Sequence, residues 1–278
     1  MYGAAGLAVY SGEIARHWIE VTRHDMPLAG LSPVFDGMKV VQLSDIHMDE
    51  YTEPFFLRHV VDRINQMQPD AVLLTGDYVS DGLFGKPYAV RAAWVCAGIL
   101  KDLKCRQLYA ILGNHDVGVG ADEVIEALTA NGITVLRNTC IPIERAGSRF
   151  WLAGTDDPVM GNPDLGLAVP HWIRNVPNEP IVLIVHAPDY ANFLLDDPAS
   201  KAVHLMLSGH THGGQIRLPF IGPLFLPNYG KRYVEGWFHL GERWNPLSLY
   251  VNRGIGTVGV PFRLNCPPEI ALFTLRSA

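Results

Sequence analysis

Residues 39–47 read KVVQLSDIH, an apolar run that ends on a pair of polar side chains. A short run of β-branched and aliphatic residues is typical of a strand that is buried on both faces. The same pattern, an apolar run followed by a side chain suited to metal binding, occurs five times along the chain. The five runs are Lys39–Leu43, Ala71–Thr75, Leu108–Leu112, Ile181–Val185 and Val203–Leu207.

Segments with a helical pattern lie between the first three of these predicted strands and after the third. Apolar residues recur at helical spacing in Pro54–Met67, and Pro54 suits the first turn of a helix. Tyr88–Leu100 and Asp122–Ala130 are also predicted to be helical. Alternating strands and helices predict an α/β fold with a largely parallel sheet, in which binding sites form beyond the carboxyl ends of the strands. We therefore expect the polar residues that follow the five strands to share one edge.

The pattern changes after the fifth strand. Pro, Gly and aromatic residues dominate Leu218–Trp237, and shorter strand-like segments follow at Leu247–Val251 and Ile270–Leu275. We expect this half to form a second sheet that packs on the first. No linker separates the two halves, so residues 39–278 are predicted to form a single domain. Residues 1–38 are predicted to form an N-terminal extension that packs on the body or leads to a membrane anchor.

The charge distribution restricts the class of partner. The net charge is −6, which argues against a nucleic-acid partner. Residues 201–278 carry eight Lys and Arg and three Asp and Glu, a net of +5, so residues 1–200 carry −11. The acidic excess is consistent with metal ligands. The basic C-terminal part either faces an anionic substrate or is a solvated surface.

The polar residues at the strand ends are the types that bind metals. Carboxylate, imidazole and amide groups suit borderline and hard cations, and no cysteine takes part. Seven such ligands exceed what one tetrahedral zinc ion holds, but they fit two ions about 3.5–4 Å apart that share a carboxylate. This assignment requires Asp45 and His210 to lie within about 12 Å of each other. The seven residues are Asp45, His47, Asp77, Asn114, His186, His210 and His212.

Each of these signals has a structural alternative when it is taken alone. A strand-end aspartate such as Asp77 often only caps the next helix, and His186 could be a histidine of the core. The joint order of the motifs, each placed after a strand, favours the metal site.

These motifs resemble those of the calcineurin-like metallophosphoesterase superfamily, from about Lys39 to His212. Two further features are similar to the YkuE-like branch of that superfamily, which is often membrane-associated. The first is the segment Glu20–His24. The second consists of two segments later in the chain, Gly213–Gln215 and Asn252–Gly254. The superfamily motifs are Ser44-Asp45-Ile46-His47, Gly76-Asp77, Gly113-Asn114-His115-Asp116, Val185-His186 and Gly209-His210-Thr211-His212.

The resemblance implies the metallophosphoesterase fold, a four-layer α/β/β/α sandwich of two mixed sheets flanked by helices. It also implies a cofactor of two divalent or trivalent metal ions, namely manganese, iron or zinc. By this resemblance Asp45, His47 and His212 hold one ion, Asn114, His186 and His210 hold the other, and Asp77 bridges the two.

The resemblance further implies hydrolysis of a phosphoric ester or anhydride. A hydroxide shared by the metals would attack phosphorus, and His115 would protonate the leaving oxygen. Asp116 would orient His115, as carboxylates orient imidazoles in many metal sites. Arg253 and Arg263 are predicted to bind the substrate phosphate, with structural salt bridges as the alternative for both.

The substrate class stays open between two interpretations. The segment Leu218–Pro227, LPFIGPLFLP, follows the last ligands and is either core filler or an exposed lip that accepts acyl chains. An exposed lip favours a phosphodiesterase or pyrophosphatase for a lipid-linked or cell-envelope phosphate, with peripheral membrane contact. A packed segment favours a soluble, cytoplasmic phosphoesterase or phosphatase for nucleotides or small phosphate esters. A non-catalytic scaffold of the same fold is a remote alternative, because a scaffold is expected to lose ligands.

Overall fold

The computed structural model describes residues 2–48, 51–80, 82, 85–174, 176–242 and 245–278. Strands and helices alternate through most of the first half of the chain. The helices are α1 (Tyr2–Val9), α2 (Pro54–Met67), α3 (Lys86–Leu100), α4 (Asn114–Ala130), α5 (Leu165–Ala168) and α6 (Ala191–Asp196). The strands are β1 (Glu20–Leu28), β2 (Lys39–Leu43), β3 (Ala71–Leu74), β4 (Gln107–Ala110), β5 (Thr134–Val135), β6 (Thr139–Arg145), β7 (Ser148–Gly154), β8 (Ile181–Ile184), β9 (Val203–Ser208), β10 (Arg217–Leu218), β11 (Gly222–Pro223), β12 (Gly236–Glu242), β13 (Asn245–Val251) and β14 (Glu269–Ser277).

Within the described residues, the strands form two mixed sheets and a small hairpin. The first sheet has the order β1-β14-β2-β3-β4-β5, and β2 to β5 run parallel. The second has the order β12-β13-β9-β8-β7-β6, and β13, β9, β8 and β7 run parallel. Strands β10 and β11 pair separately as an antiparallel hairpin.

Three apolar layers hold the sheets and helices together. Val40 and Leu73 face a core between the two sheets, whereas their neighbours Val41 and Leu74 face a core beneath α2, α3 and α4. A third core covers the outer face of the second sheet and includes Leu194 of α6. This arrangement confirms the predicted four-layer α/β/β/α sandwich, and it follows from strands that alternate their side chains between two buried faces.

The predicted helices are present, but the second sheet was partly misplaced. Pro54–Met67 is helical as predicted, and α3 and α4 begin earlier than expected. The second sheet already begins at Thr139 and includes β8 and β9, whereas β14 returns to the first sheet. An apolar run predicts a strand but does not say which strand lies beside it, because pairing depends on contacts distant in sequence.

The N-terminal segment contributes to the first sheet. Residue 1 lies outside the described residues, and Tyr2–Val9 forms α1. β1 pairs in parallel with β14 along its length, from Glu20 beside Glu269 to Leu28 beside Ser277. Among the described helices, none is both long and apolar enough to cross a membrane.

Candidate metal centre

The two sheets bring their polar strand ends to one place. Strands β2, β3 and β4 of the first sheet and β8 and β9 of the second all end near the same edge of the sandwich. The backbone N–H of His210 donates to both carboxylate oxygens of Asp45 at 3.0 Å. Asp45 and His210 are therefore neighbours across the two sheets, as the metal-site assignment requires.

A first group of ligand-type atoms consists of Asp45, His47 and His212. Their side-chain ligand atoms lie within 4.8 Å of one another, and all three residues are buried. The Nε2 atoms of His47 and His212 face each other at 3.0 Å, and Nε2 of His212 lies 3.4 Å from Oδ1 of Asp45. Ring nitrogens and a carboxylate that converge in this way suit a divalent cation.

A second group consists of Asp77, His186 and His210, with Asn114 beside it. The ligand atoms of the first three also lie within 4.8 Å of one another. Asn114 lies at the start of α4 and lines the same cleft as Asp77 and His210. Its Oδ1 atom is buried and has no hydrogen-bond partner among the described residues. Since buried amide oxygens are rarely left unpaired, this atom fits a cation ligand.

Asp77 lies between the two groups. Its Oδ2 atom is 3.6 Å from Nε2 of His47 in the first group and 3.1 Å from Nε2 of His186 in the second. Its Oδ1 atom accepts a hydrogen bond from the backbone N–H of His115 at 2.9 Å. Asp77 thus caps α4 with one oxygen and presents the other to both groups. The residue therefore has the features of both alternatives considered for it, a helix cap and a metal ligand.

Backbone carbonyls orient two of the imidazoles. Nδ1 of His186 lies 2.7 Å from the carbonyl oxygen of Thr75, which leaves Nε2 facing Asp77. Nε2 of His210 lies 2.7 Å from the carbonyl oxygen of Asn228, which leaves Nδ1 for the cluster. Such carbonyl contacts select the tautomer whose other nitrogen is free to bind a metal.

The electrostatics of the cluster favour bound cations. Burial lowers the pKa of His47 to about 3 and that of His210 to about 4, so both imidazoles are neutral near pH 7. Burial raises the pKa of Asp45 to about 6. Burial also lowers the pKa of His186, but the nearby carboxylates, led by Asp77, together outweigh it and raise that pKa well above its ordinary value. A cation at this position would stabilise both buried carboxylates, and neutral imidazoles are the form that binds metals.

Five of the seven predicted ligands have left-handed backbone. The φ angles are 52° at Asp45, 47° at His47, 57° at Asp77, 72° at His210 and 52° at His212. Each such conformation costs on the order of 1 kcal/mol or more for a residue other than glycine. Strain that recurs at the same residues indicates that the fold holds these side chains for a function.

Glycines permit the close approach of these strand ends. A Cβ atom at residue 113 would clash with the carboxylate of Asp77, and one at residue 209 would clash with Ser44 and Asp45. Gly113 is therefore required by the close approach of two neighbouring strand ends in the first sheet, and Gly209 by the close approach of the two sheets.

The carboxylate of Asp116 binds backbone N–H groups, a role that the resemblance did not imply. Its carboxylate accepts hydrogen bonds from the backbone N–H groups of Asp77 at 2.8 Å, Tyr78 at 2.9 Å and Gly113 at 2.9 Å. The residue is fully buried. Asp116 therefore fastens the end of β3 to the start of α4, which fixes the backbone of Asp77.

Replacing Asp116 with alanine is expected to destabilise the fold by about 4 kcal/mol or more, because the backbone amides of Asp77, Tyr78, Val79 and Gly113 would lose their acceptor at about 1–3 kcal/mol each. Urea unfolding of the metal-free protein measures this free energy. His115→Ala is the matched control, since its side chain borders the cleft, and it should unfold at nearly the urea concentration of the parent. Equal stability of the two variants would contradict this role of Asp116.

The two predicted substrate-binding arginines are engaged by the protein itself. Arg263 is fully buried and donates to the carbonyl oxygens of Gly256, Cys266 and Gly254. Arg253 pairs with Glu269 and Glu20 through its guanidinium group. Neither residue is among the described residues that line the cleft. These contacts favour the structural alternative for both arginines.

The residues with metal-binding side chains, called the metal-type residues below, border a cavity of about 560 Å³. Asp77, Asn114, His115, His210 and His212 line this cavity. The ring of His115 lies 5.0 Å from the ring of His47, and its ligand atom is within 4.8 Å of those of His47 and Asp77. His115 therefore faces the space in which a substrate phosphate would lie, and is also close enough to act as a ligand.

One functional candidate was missed in the sequence. Strand β7 ends on Gly154-Thr155-Asp156-Asp157, the same apolar run followed by polar residues that marks the other strand ends. Asp157 is fully buried, and Val159 lines the cavity. The signal was present, but the segment contains none of the motifs on which the resemblance depends.

Comparison with known proteins places the chain in a family. The family model for calcineurin-like phosphoesterases matches residues 38–214. The uncharacterised metallophosphoesterase YkuE of Bacillus subtilis is 37% identical over 277 residues, which cover 99% of this chain and 91% of YkuE. The phosphodiesterase YaeI of Escherichia coli is 34% identical over 284 residues, which cover 98% of this chain and 96% of YaeI.

A solved dimetal phosphatase from Danio rerio has a TM-score of 0.50 and 10% sequence identity. The match covers 79% of this chain and 88% of that one, and it concerns the fold alone. The family match and the full-length relatives carry the assignment, and the clustered ligand residues agree with it. This chain belongs to the calcineurin-like phosphoesterase family, in its YkuE-like branch, and is a metal-dependent phosphoester hydrolase.

Proposed function

We propose that this chain is a phosphodiesterase or pyrophosphatase that uses two metal ions on an amphiphilic, lipid-linked phosphate. The donor set supports two ions, because two groups of buried ligand atoms share Asp77. The identity of the metals, whether manganese, iron or zinc, is left to metal analysis. Asp45, His47 and His212 would hold one ion, Asn114, His186 and His210 would hold the other, and Asp77 would contribute to both.

The chemistry divides between the metals and the side chains. When bound, the two ions would lower the pKa of a water molecule and offset negative charge on the phosphoryl oxygens. The N-terminus of α4, which begins at Asn114, adds the partial positive charge of a helix end beside the same oxygens. His115 faces the cleft and would donate a proton to the leaving oxygen.

The cavity wall is the observation that carries the substrate class. Beyond the metal-type residues, the cavity is lined by Ile216, Leu224, Phe225, Val258 and Val260. A phosphate held at the metal-type residues would therefore have an apolar surface within reach of its ester group. Such a wall suits an acyl or other long apolar substituent, whose burial stabilises the complex by about 0.8 kcal/mol per methylene group.

The apolar wall continues to the protein surface. Phe220 is fully exposed, Ile221 is 72% exposed and Phe225 is 75% exposed. Phe220 and Ile221 lie in the turn between β10 and β11, directly beside the cavity residues Leu224 and Phe225. Large exposed apolar side chains in one hairpin favour the lip interpretation of residues 218–227, since soluble proteins rarely expose such patches without a partner.

A second exposed apolar segment lies near the same wall. The backbone N–H of Arg263 donates to the carbonyl oxygen of Ser11, and Gly12 packs against the ring of Phe262. Next to this contact, Val9 is 58% and Tyr10 is 48% exposed. The N-terminal helix therefore supports the proposal of a surface that contacts lipid, with the net positive C-terminal part favouring anionic headgroups.

The proposal is tested with phosphodiesters and pyrophosphates that differ only in the presence of acyl chains. We expect a higher kcat/KM for the acylated substrate, together with co-sedimentation of the protein with vesicles of phosphatidylglycerol and phosphatidylcholine. Equal rates on both substrates and no binding to these vesicles would replace the lipid-linked substrate with soluble nucleotides or small phosphate esters.

Phe220→Ser combined with Ile221→Ser is expected to reduce vesicle binding by about 100-fold or more, because each of the two large apolar side chains contributes about 1.5–3 kcal/mol when it is buried. Hydrolysis of the substrate without acyl chains should stay unchanged, since neither residue lines the cavity. Leu167→Ser is the matched control, because Leu167 is 61% exposed and is also not among the cavity residues. A similar loss in the control would indicate a non-specific effect of surface hydrophobicity.

A further inference from the structure

The turn that follows β7 contains a buried carboxylate with an unused oxygen. Asp157 has no exposed surface. Its Oδ2 atom accepts hydrogen bonds from the backbone N–H groups of Val159 at 2.8 Å and Met160 at 2.6 Å. Its Oδ1 atom has no hydrogen-bond partner among the described residues. Oδ2 alone accepts both of these hydrogen bonds within the turn. The hydrogen bonding of the turn therefore does not explain why Oδ1 is buried without a partner.

The position of the turn relates Asp157 to the second group of ligand atoms. β7 runs parallel to β8, with Gly154 beside Ile184, and His186 follows two residues after Ile184. The N–H of Thr155 donates to the carbonyl oxygen of Ile184 at 3.3 Å, which extends the pairing toward His186. The two strands therefore end at the same edge, and Asp157 and His186 lie just beyond it.

This turn borders the cleft and contains a further unpaired oxygen. Val159 lines the cavity together with Asn114 and His115. Thr155, two residues before Asp157, also has a buried side-chain oxygen without a partner among the described residues. Unpaired buried oxygens are rare and costly, and Asn114 Oδ1 is a third one at the same edge.

Asp157 is not one of the direct ligand atoms. The described groups whose ligand atoms lie within 4.8 Å of one another include Asp77, His186 and His210 but not Asp157. Its turn still lies beside the cluster, because the end of β7 pairs with β8 two residues before His186. A buried carboxylate beside such a cluster acts on a bound cation through its charge and through hydrogen bonds to the ligands.

We propose that Asp157 is a positioning residue of the second metal cluster, where its buried charge and unused acceptor increase the affinity of Asn114, His186 and His210 for a divalent cation. This inference rests on the proposed two-metal function. It adds an eighth residue to the centre, contributed by β7, a strand whose end carries none of the family motifs.

The direct test is calorimetric titration of metal-free protein with Mn²⁺. The parent protein should bind two ions. Asp157→Asn keeps an acceptor for the turn but removes the charge, and it should weaken one of the two binding steps by about 10–100-fold while the other stays within about threefold. Asp157→Ser also keeps an acceptor for the turn and should show the same selective loss, which provides a second variant if the first does not fold.

Asp156→Asn is the matched control in the same turn. Asp156 is also buried, but its carboxylate binds Arg137 and the backbone N–H of Asn162, each at 3.0 Å. This variant should lower the thermal stability of the metal-free protein and leave both Mn²⁺ affinities unchanged.

Two results would overturn the inference in distinguishable ways. If the parent binds two ions and Asp157→Asn binds both with parental affinity, Asp157 only supports the turn and the two-metal function stands. If the parent binds fewer than two ions, the two-metal function fails, and the inference fails with it.

Discussion

Asp77→Ala is expected to abolish phosphoesterase activity and to remove most of the bound metal. Asp77 is the carboxylate whose Oδ2 atom faces both groups of ligand atoms, at 3.6 Å from His47 and 3.1 Å from His186. Removing it takes one negative charge and one shared ligand from both proposed ions, so neither site keeps its full donor set. Metal content by mass spectrometry, measured beside kcat/KM, tests this expectation.

Asp77→Asn is the matched control for this variant. It retains an oxygen that can accept from the N–H of His115 at the start of α4, so the fold should be preserved. It removes the charge, so metal content should fall for the asparagine variant as well. A folded Asp77→Ala protein with two bound ions and parental activity would contradict the assignment of Asp77 as the shared ligand.

His115→Ala is expected to keep both metal ions and to lose about 10²–10⁴ in kcat, the usual contribution of a positioned proton donor. His115 lines the cleft at the N-terminal end of α4, and its side chain is only partly buried. Steady-state kinetics and metal analysis on the same preparation separate this role from that of a ligand. The separation is needed because the ligand atom of His115 lies within 4.8 Å of those of His47 and Asp77.

The leaving group provides a sharper control for His115. A proton donor matters most for poor leaving groups such as alkoxides, and little for p-nitrophenolate, which departs without a proton. The loss of rate in His115→Ala should therefore be much smaller on a p-nitrophenyl phosphodiester than on an alkyl phosphodiester. Equal losses on both substrates, accompanied by loss of metal, would make His115 a ligand.

Local patterns were sufficient for most elements of the fold. The apolar runs before Asp45, Asp77 and His186 became strands because each is short, β-branched and buried on both faces. The α2 helix was predicted at its observed bounds because Pro54 marks its first turn and its apolar residues repeat at helical spacing. These properties depend on neighbouring residues alone and are therefore readable in a single chain.

Strand pairing was not readable in the same way. The end of the chain was expected in the second sheet, but β14 inserts between β1 and β2 of the first. β1 itself was not predicted, because Glu20–Leu28 contains three charged residues, a histidine and a proline and is only partly buried at its start. An edge strand has one neighbour and one solvent-facing side, so it lacks the continuous apolar run that reveals a central strand.

The identities of the metal-type residues were determined by the order of motifs along the chain, since each ligand follows its strand directly. Only the tertiary structure shows that these side chains lie close together, because it packs the two sheets so that β2, β3 and β4 end beside β8 and β9. The roles of the charged residues around them were also decided there. The sequence gives the charges of Asp116 and Arg263, but only the packed structure shows that backbone groups already form hydrogen bonds with both side chains. Only the packed structure shows that Asp157 retains an unpaired oxygen.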